Sequence, residues 1–537
     1  MKENKQGVFD YHEQTKHLPH RYAASPAGMD WATEPLPYRL YEGAETITLP
    51  LMQADPAGGV NELFTRSAGP APFTTANIAA FFELSMGLSA IKTFMESTWA
   101  LRMNPSSGNL HPTEAYIITM DETPAKGVFH YTPFSHGLEQ RAEISEDLGI
   151  ELGNNFKQNG FITCLTSIDW REAWKYGARA FRYSCLDAGH AAASMSFSAA
   201  LLGWRITHLQ SLSDEEIKTM LGFTGEMWTR YEEERVEGAF FVQKAAESRD
   251  NTTIDKKTIK AFKKLEFKGR PNRLSSEHVH WPIIEEVALA TDKEETKQKP
   301  EHLISPRKYL LENAQALTGV SVIRGRRSAQ AYNGEVWADK KDFFSIIDSS
   351  IPRPSCAPFD TLQGAPQLNL IVFIHRVRGL EQGLYILLRD RNDRVELEQH
   401  MKSTFSWRET ELKDLYLLQD GDLTEEARYI FCQQDIAGDG VFSAAMIARF
   451  KVNIETRPSM YRELFMEAGI IGQSLYIAAE ARGLRGTGIG CFYDDMLHDL
   501  LGFPEGDNTF QTLYHFTVGS PLLDSRITTT TPYAQVR

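Results

Sequence analysis

Two stretches of this chain, 280 positions apart, are versions of one another. Laid against AGHAAASMSFSAALLGWRITHLQSLSDEEIKTMLGF (Ala188–Phe223), the segment AGIIGQSLYIAAEARGLRGTGIGCFYDDMLHDLLGF (Ala468–Phe503) aligns without a gap. Gly189/Gly469, Ser194/Ser474, Ala199/Ala479, Gly203/Gly483, Arg205/Arg485, Thr207/Thr487 and Asp214/Asp494 coincide, as does the closing Leu-Gly-Phe. Weaker echoes precede them: TRSA (Thr65–Ala68) with RRSA (Arg326–Ala329), and FFELSMGLS (Phe81–Ser89) with FFSIIDSS (Phe343–Ser350). At 537 residues the chain exceeds one ordinary core, so two copies of one unit are the expectation.

Each copy reads in the same order: an Arg-Ser segment, a helix, a proline-rich loop, apolar strands, a long helix, a short strand and a closing helix. Strands are expected over Ala115–Met120 and Ile162–Ser167 in the first copy, and over Leu368–His375 and Gly383–Leu388 in the second. The long helices, Tyr183–Leu202 and Tyr461–Arg482, are rich in Ala, Gly and Ser, and each stops at a glycine suited to a left-handed cap. Small residues allow close backbone packing, so these helices either form a central seam, one from each copy, or each pack on their own sheet. The expected domains are an N-terminal arm over 1–60, a first copy over 61–244, a charged linker over 245–315 that docks in part, and a second copy over 316–537.

The 57 basic and 71 acidic residues give a net charge of −14. That argues against a nucleic acid or an anionic membrane as partner, because both need a broad basic face. No apolar run approaches the roughly 18–20 residues of a membrane helix, and the polar start lacks the apolar core of a signal peptide. A cytoplasmic enzyme is the default. The five cysteines are odd in number and scattered without CxxC spacing, which suggests neither a disulfide framework nor a metal site.

The copies are most informative where they disagree. Gly488, Ile489 and Gly490 of the second copy stand against His208, Leu209 and Gln210 of the first. Two glycines in RGTGIG would let a flat ligand approach the main chain, and the first copy has filled that approach. The second copy's IRGRRSAQAY gathers Arg324, Arg326 and Arg327 with Ser328, a set suited to a phosphate dianion, with a solvated basic turn as the alternative. The first copy retains one arginine and one serine there, Arg66 and Ser67. The loss is reversed elsewhere. NPSSGNLHP (Asn104–Pro112), crowded with donors and poor in bulk, corresponds loosely to RPSCAPFDTLQGAP, and Lys175 and Tyr176 fall against Glu455 and Thr456. Complementary loss points to one composite site between the copies.

The segments RRSAQAY, NPSSGNLHP, GVFHYTPFSHGLEQR, KYGARAFRYSCLDAGH, GTGIGCFYDDMLHDLLGF and LYHFTVGSPLLDSR together resemble the FMN-dependent nitroreductase superfamily. The chain is most similar to a tandem member of its SagB-type branch, which includes thiazoline and oxazoline dehydrogenases. The resemblance implies an α+β fold: two nitroreductase-like domains, each a mainly antiparallel sheet with flanking helices, paired as an intramolecular pseudo-dimer around FMN. It implies that Arg326, Arg327 and Ser328 hold the phosphate and ribityl chain. Pro105, Ser106, Ser107 and Asn109 would reach the flavin from the partner copy, Gly488, Ile489 and Gly490 would line the ring, and Arg526 would lie near the phosphate. Lys175 and Tyr176 match the pair implicated in azoline oxidation. Gln330 stands where many relatives carry Lys or Arg, and His111 where SagB-type members often have Tyr; both bear on substrate class.

The implied activity is FMN-dependent oxidation of a small molecule or modified peptide, with Lys175 as a base of lowered pKa and Tyr176 sharing the proton. Two alternatives stay open. One is an NAD(P)H-dependent reductase of nitro compounds or quinones; the other is a flavin-binding scaffold without turnover. A further homo-oligomer is also left open. Cys491 reads as a small buried side chain or a group facing the flavin, and His190 as a core histidine or a site residue. One FMN per chain is expected, since the second pseudo-site would rely on Arg66, Ser67 and the glycine-poor His208–Gln210.

Overall fold

The computed structural model describes residues 2–65, 68–121, 123–156, 159–245, 253–297, 317–353, 356–362 and 364–533. Each copy is built on a seven-stranded sheet. In the first copy the strands are β1 (Thr46–Thr48), β2 (Thr113–Thr119), β3 (Gly127–Thr132), β4 (Gly137–Glu143), β5 (Gly160–Ser167), β6 (Trp204–His208) and β7 (Arg235–Lys244). Their spatial order is β1-β4-β3-β2-β5-β7-β6. The second copy has β8 (Leu368–Ile374), β9 (Gly383–Leu387), β10 (Arg408–Glu409), β11 (Leu415–Asp420), β12 (Phe442–Arg449), β13 (Arg485–Ile489) and β14 (Phe510–Gly519), in the order β10-β11-β9-β8-β12-β14-β13. Apart from the edge strands β1 and β10, the two orders are the same winding. All neighbouring strands in both sheets run antiparallel.

The ladders also fix the equivalence between copies. His208 pairs with Phe240, which pairs with Thr163; Gly488 pairs with Phe516, which pairs with Ala444. His208 and Gly488 therefore occupy the same place on the two sheets, as the 280-residue offset requires.

Five helices matter below: α1 (Lys2–Gln14), α2 (Asp169–Tyr176), α3 (Ala180–Leu201), α4 (Gly319–Gly325) and α5 (Met460–Glu480). The long helices α3 and α5 are each followed by a glycine of positive φ, Gly203 at 64° and Gly483 at 70°, which ends them as the sequence predicts. They cross at the center of the molecule, and one hydrophobic core containing Phe197 of α3 and Ala468 of α5 runs through both copies. Cross-copy polar contacts accompany it: His190 Nε2 meets the Tyr514 hydroxyl at 3.1 Å and His190 Nδ1 meets Gln473 Oε1 at 3.4 Å.

Both ends of the chain tie the copies together. On α1, Tyr11 donates to the Ala178 carbonyl of the first copy at 2.8 Å, while His12 meets Gln511 of the second at 3.0 Å. Near the other end, Thr528–Thr530 pairs with Leu88–Phe94 of the first copy in a three-stranded sheet. Between the copies, Lys256–Ala261 and Pro282–Ala290 are helical, and Arg270–Pro271 pairs with Tyr41–Glu42. Among the described residues, no helix is long and apolar enough to cross a membrane.

Candidate functional site

The loop Asn104–Pro112 is held open by its own side chains. Gly108, Asn109 and His111 all have positive φ, 59°, 62° and 52°. The Ser106 hydroxyl accepts from His111 N at 2.8 Å, Asn109 Nδ2 donates to the Ala100 carbonyl at 3.0 Å, and its Oδ1 meets His111 Nε2 at 2.9 Å. Burial, with the Arg102 and Arg171 guanidiniums, pushes the His111 imidazole well below its ordinary range, so it is a neutral ring here. Below the loop, Asp187 of α3 takes both the Ser107 amide and hydroxyl at 3.1 Å. Burial raises its carboxyl to about 7 despite those donors.

Lys175 and Tyr176 arrive against this loop from the last turn of α2. A Cβ on Gly108 would lie 2.6 Å from the Tyr176 hydroxyl and 3.1 Å from Lys175 Nζ, so the glycine makes room for both. Lys175 Nζ sits 5.4 Å from the center of the Tyr176 ring, whose other contact is an edge-on approach to Tyr183 with centroids 4.8 Å apart. Burial, then Glu172, raises the Tyr176 hydroxyl pKa and keeps it protonated. Glu172 stands on the same face of α2, one turn earlier. It is fully buried, with neither carboxylate oxygen hydrogen-bonded among the described residues, and burial and then Asp187 push it well above the carboxylate range.

The arginine segment follows α4. Arg324 faces away, paired with Asp55 and Glu83 at 2.9 Å each. Arg326 turns inward: it is buried, its Nε donates to the Met103 carbonyl of the first copy at 3.2 Å, and its Nη1 has no hydrogen-bond partner among the described residues. Arg327 bonds the Ser89 carbonyl at 3.2 Å, and burial followed by Arg326 and Arg485 lowers it to about 10. Burial, then Arg327 and Arg485, also depresses Lys92. Arg326, Arg327 and Arg485 thus gather around one carboxylate, Glu480, which meets Arg485 at 3.8 Å, and Lys92 lies on the Arg327 and Arg485 side of the cluster.

Tyr476 of α5 connects this cluster to the glycine strand. Its hydroxyl meets Ser328 Oγ at 2.8 Å and accepts from Gly488 N at 2.9 Å, and its ring lies 5.1 Å below the Arg326 guanidinium carbon. The missing side chains of the glycines have internal occupants. A Cβ on Gly488 would fall 1.7 Å from the Tyr514 hydroxyl, and one on Gly490 would fall 2.3 Å from the Tyr183 ring. Ile489 is buried in the second copy's core. The Gly490 carbonyl accepts from Tyr183 at 3.1 Å and from Arg179 at 3.0 Å, both of the first copy.

The sequence-derived residues therefore converge from both copies, apart from Arg324, which faces away, and Arg526. Arg526 stands apart: its exposed guanidinium is paired with Asp524 at 2.8 Å and lies 5.3 Å over the Phe94 ring. Residues the sequence reading left without a role are Asn104, Glu172, Asp187, Tyr476 and Arg485. Arg485 was visible as a repeat position, and the i, i+3 and i+4 spacing of Glu172 from Lys175 and Tyr176 was a further signal.

In the pseudo-equivalent place, His208 occupies the Gly488 position and stacks on Phe240 at 5.0 Å. The second copy's Asp360, from RPSCAPFDTLQGAP, accepts from Ile206 N at 3.2 Å and from the Ser196 hydroxyl. Arg66 and Ser67 lie outside the described residues.

An FMN phosphate fits the residues present. Among the described residues, Arg326 Nη1 and both polar atoms of the Asn104 side chain are buried without partners, and a buried guanidinium nitrogen left without an acceptor favors an anion.

The model of the nitroreductase family matches residues 90–231 and again 379–520, together just over half of the chain. A protein of Methanocaldococcus jannaschii named as a candidate nitroreductase is 27% identical over 124 residues, which are 22% of this chain and 62% of that relative. The match thus spans less than two thirds of that protein's length. A crystal structure of a candidate nitroreductase from Anabaena variabilis ATCC 29413 superposes on 96% of this chain and 99% of its own with a TM-score of 0.69, at 22% identity. That likeness is one of fold. With the family's model matched once in each copy, the chain belongs to the nitroreductase family.

Proposed function

We propose that the chain is an FMN-dependent oxidoreductase with one composite flavin site between its copies, and that it works as a SagB-type dehydrogenase on a small molecule or modified peptide. The observation that carries this reading is Arg326. A second-copy guanidinium, buried and lacking an acceptor at Nη1, rests on the first copy's Met103 carbonyl. Arg327, Arg485, Lys92 and Ser328 would complete the phosphate site, and Asn104 and the Pro105–Asn109 loop would face the ring from the other side.

FMN held there would supply two-electron chemistry as a hydride acceptor. The chain's own part is to hold the substrate and move a proton. Tyr176 Oη, kept protonated by burial, donates a hydrogen bond to the substrate. Lys175 Nζ, beside it at Gly108, takes the proton released as the substrate is oxidised.

The test is anaerobic mixing of the flavin-loaded protein with a thiazoline-containing model compound or with NADPH, following flavin absorbance. Bleaching by the thiazoline is expected. Bleaching by NADPH alone would make the chain a reductase, and bleaching by neither would leave it a scaffold.

A further inference from the structure

A cavity of about 510 Å³ opens between α2 and the helix Pro282–Ala290, and none of the residues placed at the flavin site lines it. Its volume is that of a small-molecule site, whose usual make-up is apolar walls with a few polar groups. Trp170 and Ala173 of α2 and Ile284 and Ala288 of the later helix supply apolar walls, with the Trp281 ring beside them. Val279 and Leu289, on the same lining, are 55% and 71% exposed. Tyr231, held at a positive φ of 72°, stacks on His280 with ring centers 5.0 Å apart.

Most of the charge on this lining is cancelled within the protein. Arg235 forks onto Asp169 at 3.0 and 2.9 Å, and Glu234 accepts from Thr166, Tyr116 and Arg39 at 2.6, 2.8 and 3.2 Å. Lys218 lies 3.7 Å from Asp292, and Glu285 meets His280 Nε2 at 3.2 Å. Two charges are left over. Among the described residues, Arg230 has no carboxylate partner, its guanidinium resting 4.6 Å over the Tyr231 ring, and Glu233 has no cation. Two N–H groups of lining side chains, Arg235 Nη1 and Trp281 Nε1, are buried without acceptors among the described residues. An unpaired surface charge is ordinary by itself. One spare cation, one spare carboxylate and two spare donors around an apolar hollow describe a ligand that carries both charges on an apolar body.

We propose that this cavity binds a free amino acid with a large apolar side chain. The ligand's carboxylate meets Arg230 and the spare N–H donors, and its ammonium meets Glu233. Its side chain lies among Trp170, Ile284 and Ala288, where the walls remove it from water. The association is reversible and changes no bond.

The experiment is calorimetric titration of the full-length protein with L-phenylalanine, with 3-phenylpropionate, which lacks the amine, and with phenethylamine, which lacks the carboxylate. L-phenylalanine should bind saturably at one site per chain, about tenfold tighter than either analogue. Arg230→Gln should lower its affinity to that of phenethylamine, and Glu233→Gln to that of 3-phenylpropionate. Both residues are exposed, so both variants should fold as the wild type does. No saturable binding, equal affinity for the three compounds, or undiminished binding by both variants would overturn the assignment. Binding lost in Arg326→Ala but kept in Arg230→Gln would place the ligand at the arginine segment and overturn it as well. The affinity should be the same with and without saturating FMN, so failure here is separable from failure of the FMN reading.

Discussion

Gly189 and Gly469, equivalent positions of the two copies, meet at the crossing of the long helices. A Cβ on Gly469 would stand 3.0 Å from Gly189 Cα and 2.1 Å from the Leu186 carbonyl; one on Gly189 would stand 2.1 Å from the Met466 carbonyl. Each glycine is required by the other copy's backbone, which cannot yield as a side-chain tip can. Gly469→Ala should therefore destabilise the protein by about 1–3 kcal/mol or more through overpacking. Chemical denaturation should show a lowered midpoint, and a midpoint equal to the wild type would mean that the helices do not cross this closely.

The Asp187 carboxyl gives a pH dependence with a definite sign. Its folded value, about 7, lies above the ordinary 3.8 because the group is buried, so the folded state holds the proton more tightly. Its contribution is complete below the unfolded value and is lost as pH rises through the folded one. Glu172, raised by burial and by Asp187, acts in the same direction. Relative to Asp187→Asn, the wild type should lose on the order of a few kcal/mol between these two values. Thermal midpoints of the two proteins measured across that range test this; a constant gap between them would count against a buried, protonated Asp187.

Gly108, Lys175 and Tyr176 should behave as one unit. Lys175→Ala and Tyr176→Phe should keep bound FMN and slow thiazoline-driven bleaching by about a hundredfold, the usual order for a lost acid or base. Gly108→Ala places a methyl 2.6 Å from the Tyr176 hydroxyl in a left-handed conformation; it should impair bleaching likewise and cost about 1–2 kcal/mol of stability. Flavin loss in all three variants, read from absorbance of the purified proteins, would make the unit structural.

Much of this arrangement was legible because the chain is duplicated. The repeat gave the two units, the long helices to within a few residues at each end, and the Gly189/Gly469 pair. The segments resembling the nitroreductase superfamily picked out the loop, the Lys-Tyr pair and the arginines. What stayed hidden depends on packing between distant residues. RGTGIG reads as bare backbone for a ligand, but the Tyr514 hydroxyl and the Tyr183 ring fill the space beside Gly488 and Gly490. Lys92 joins the arginine cluster from a strand of the other copy, and no local pattern marks it. Arg526 belongs to a recognisable segment, yet its neighbor Asp524 holds it at the surface.

Substitution of Arg326 examines the phosphate site alone. Removing one charge-assisted contact worth about 1.5–3 kcal/mol should weaken FMN binding roughly 10- to 100-fold. Arg66→Ala, in the segment that the first copy's sequence leaves with a single arginine, should bind as the wild type does. Titration with FMN, followed by flavin fluorescence, compares the two; equal weakening by both would indicate two phosphate sites.

The most direct measurement is the ratio of FMN to protein chain, obtained by denaturing a flavin-saturated sample and comparing released flavin with protein mass. His208 fills the position of Gly488, and Asp360 bonds to the first copy's β6 and α3, so the second pseudo-site should hold no flavin. The predicted ratio is one FMN per chain; a ratio of two, or a colorless protein that takes up none, would contradict a single composite site.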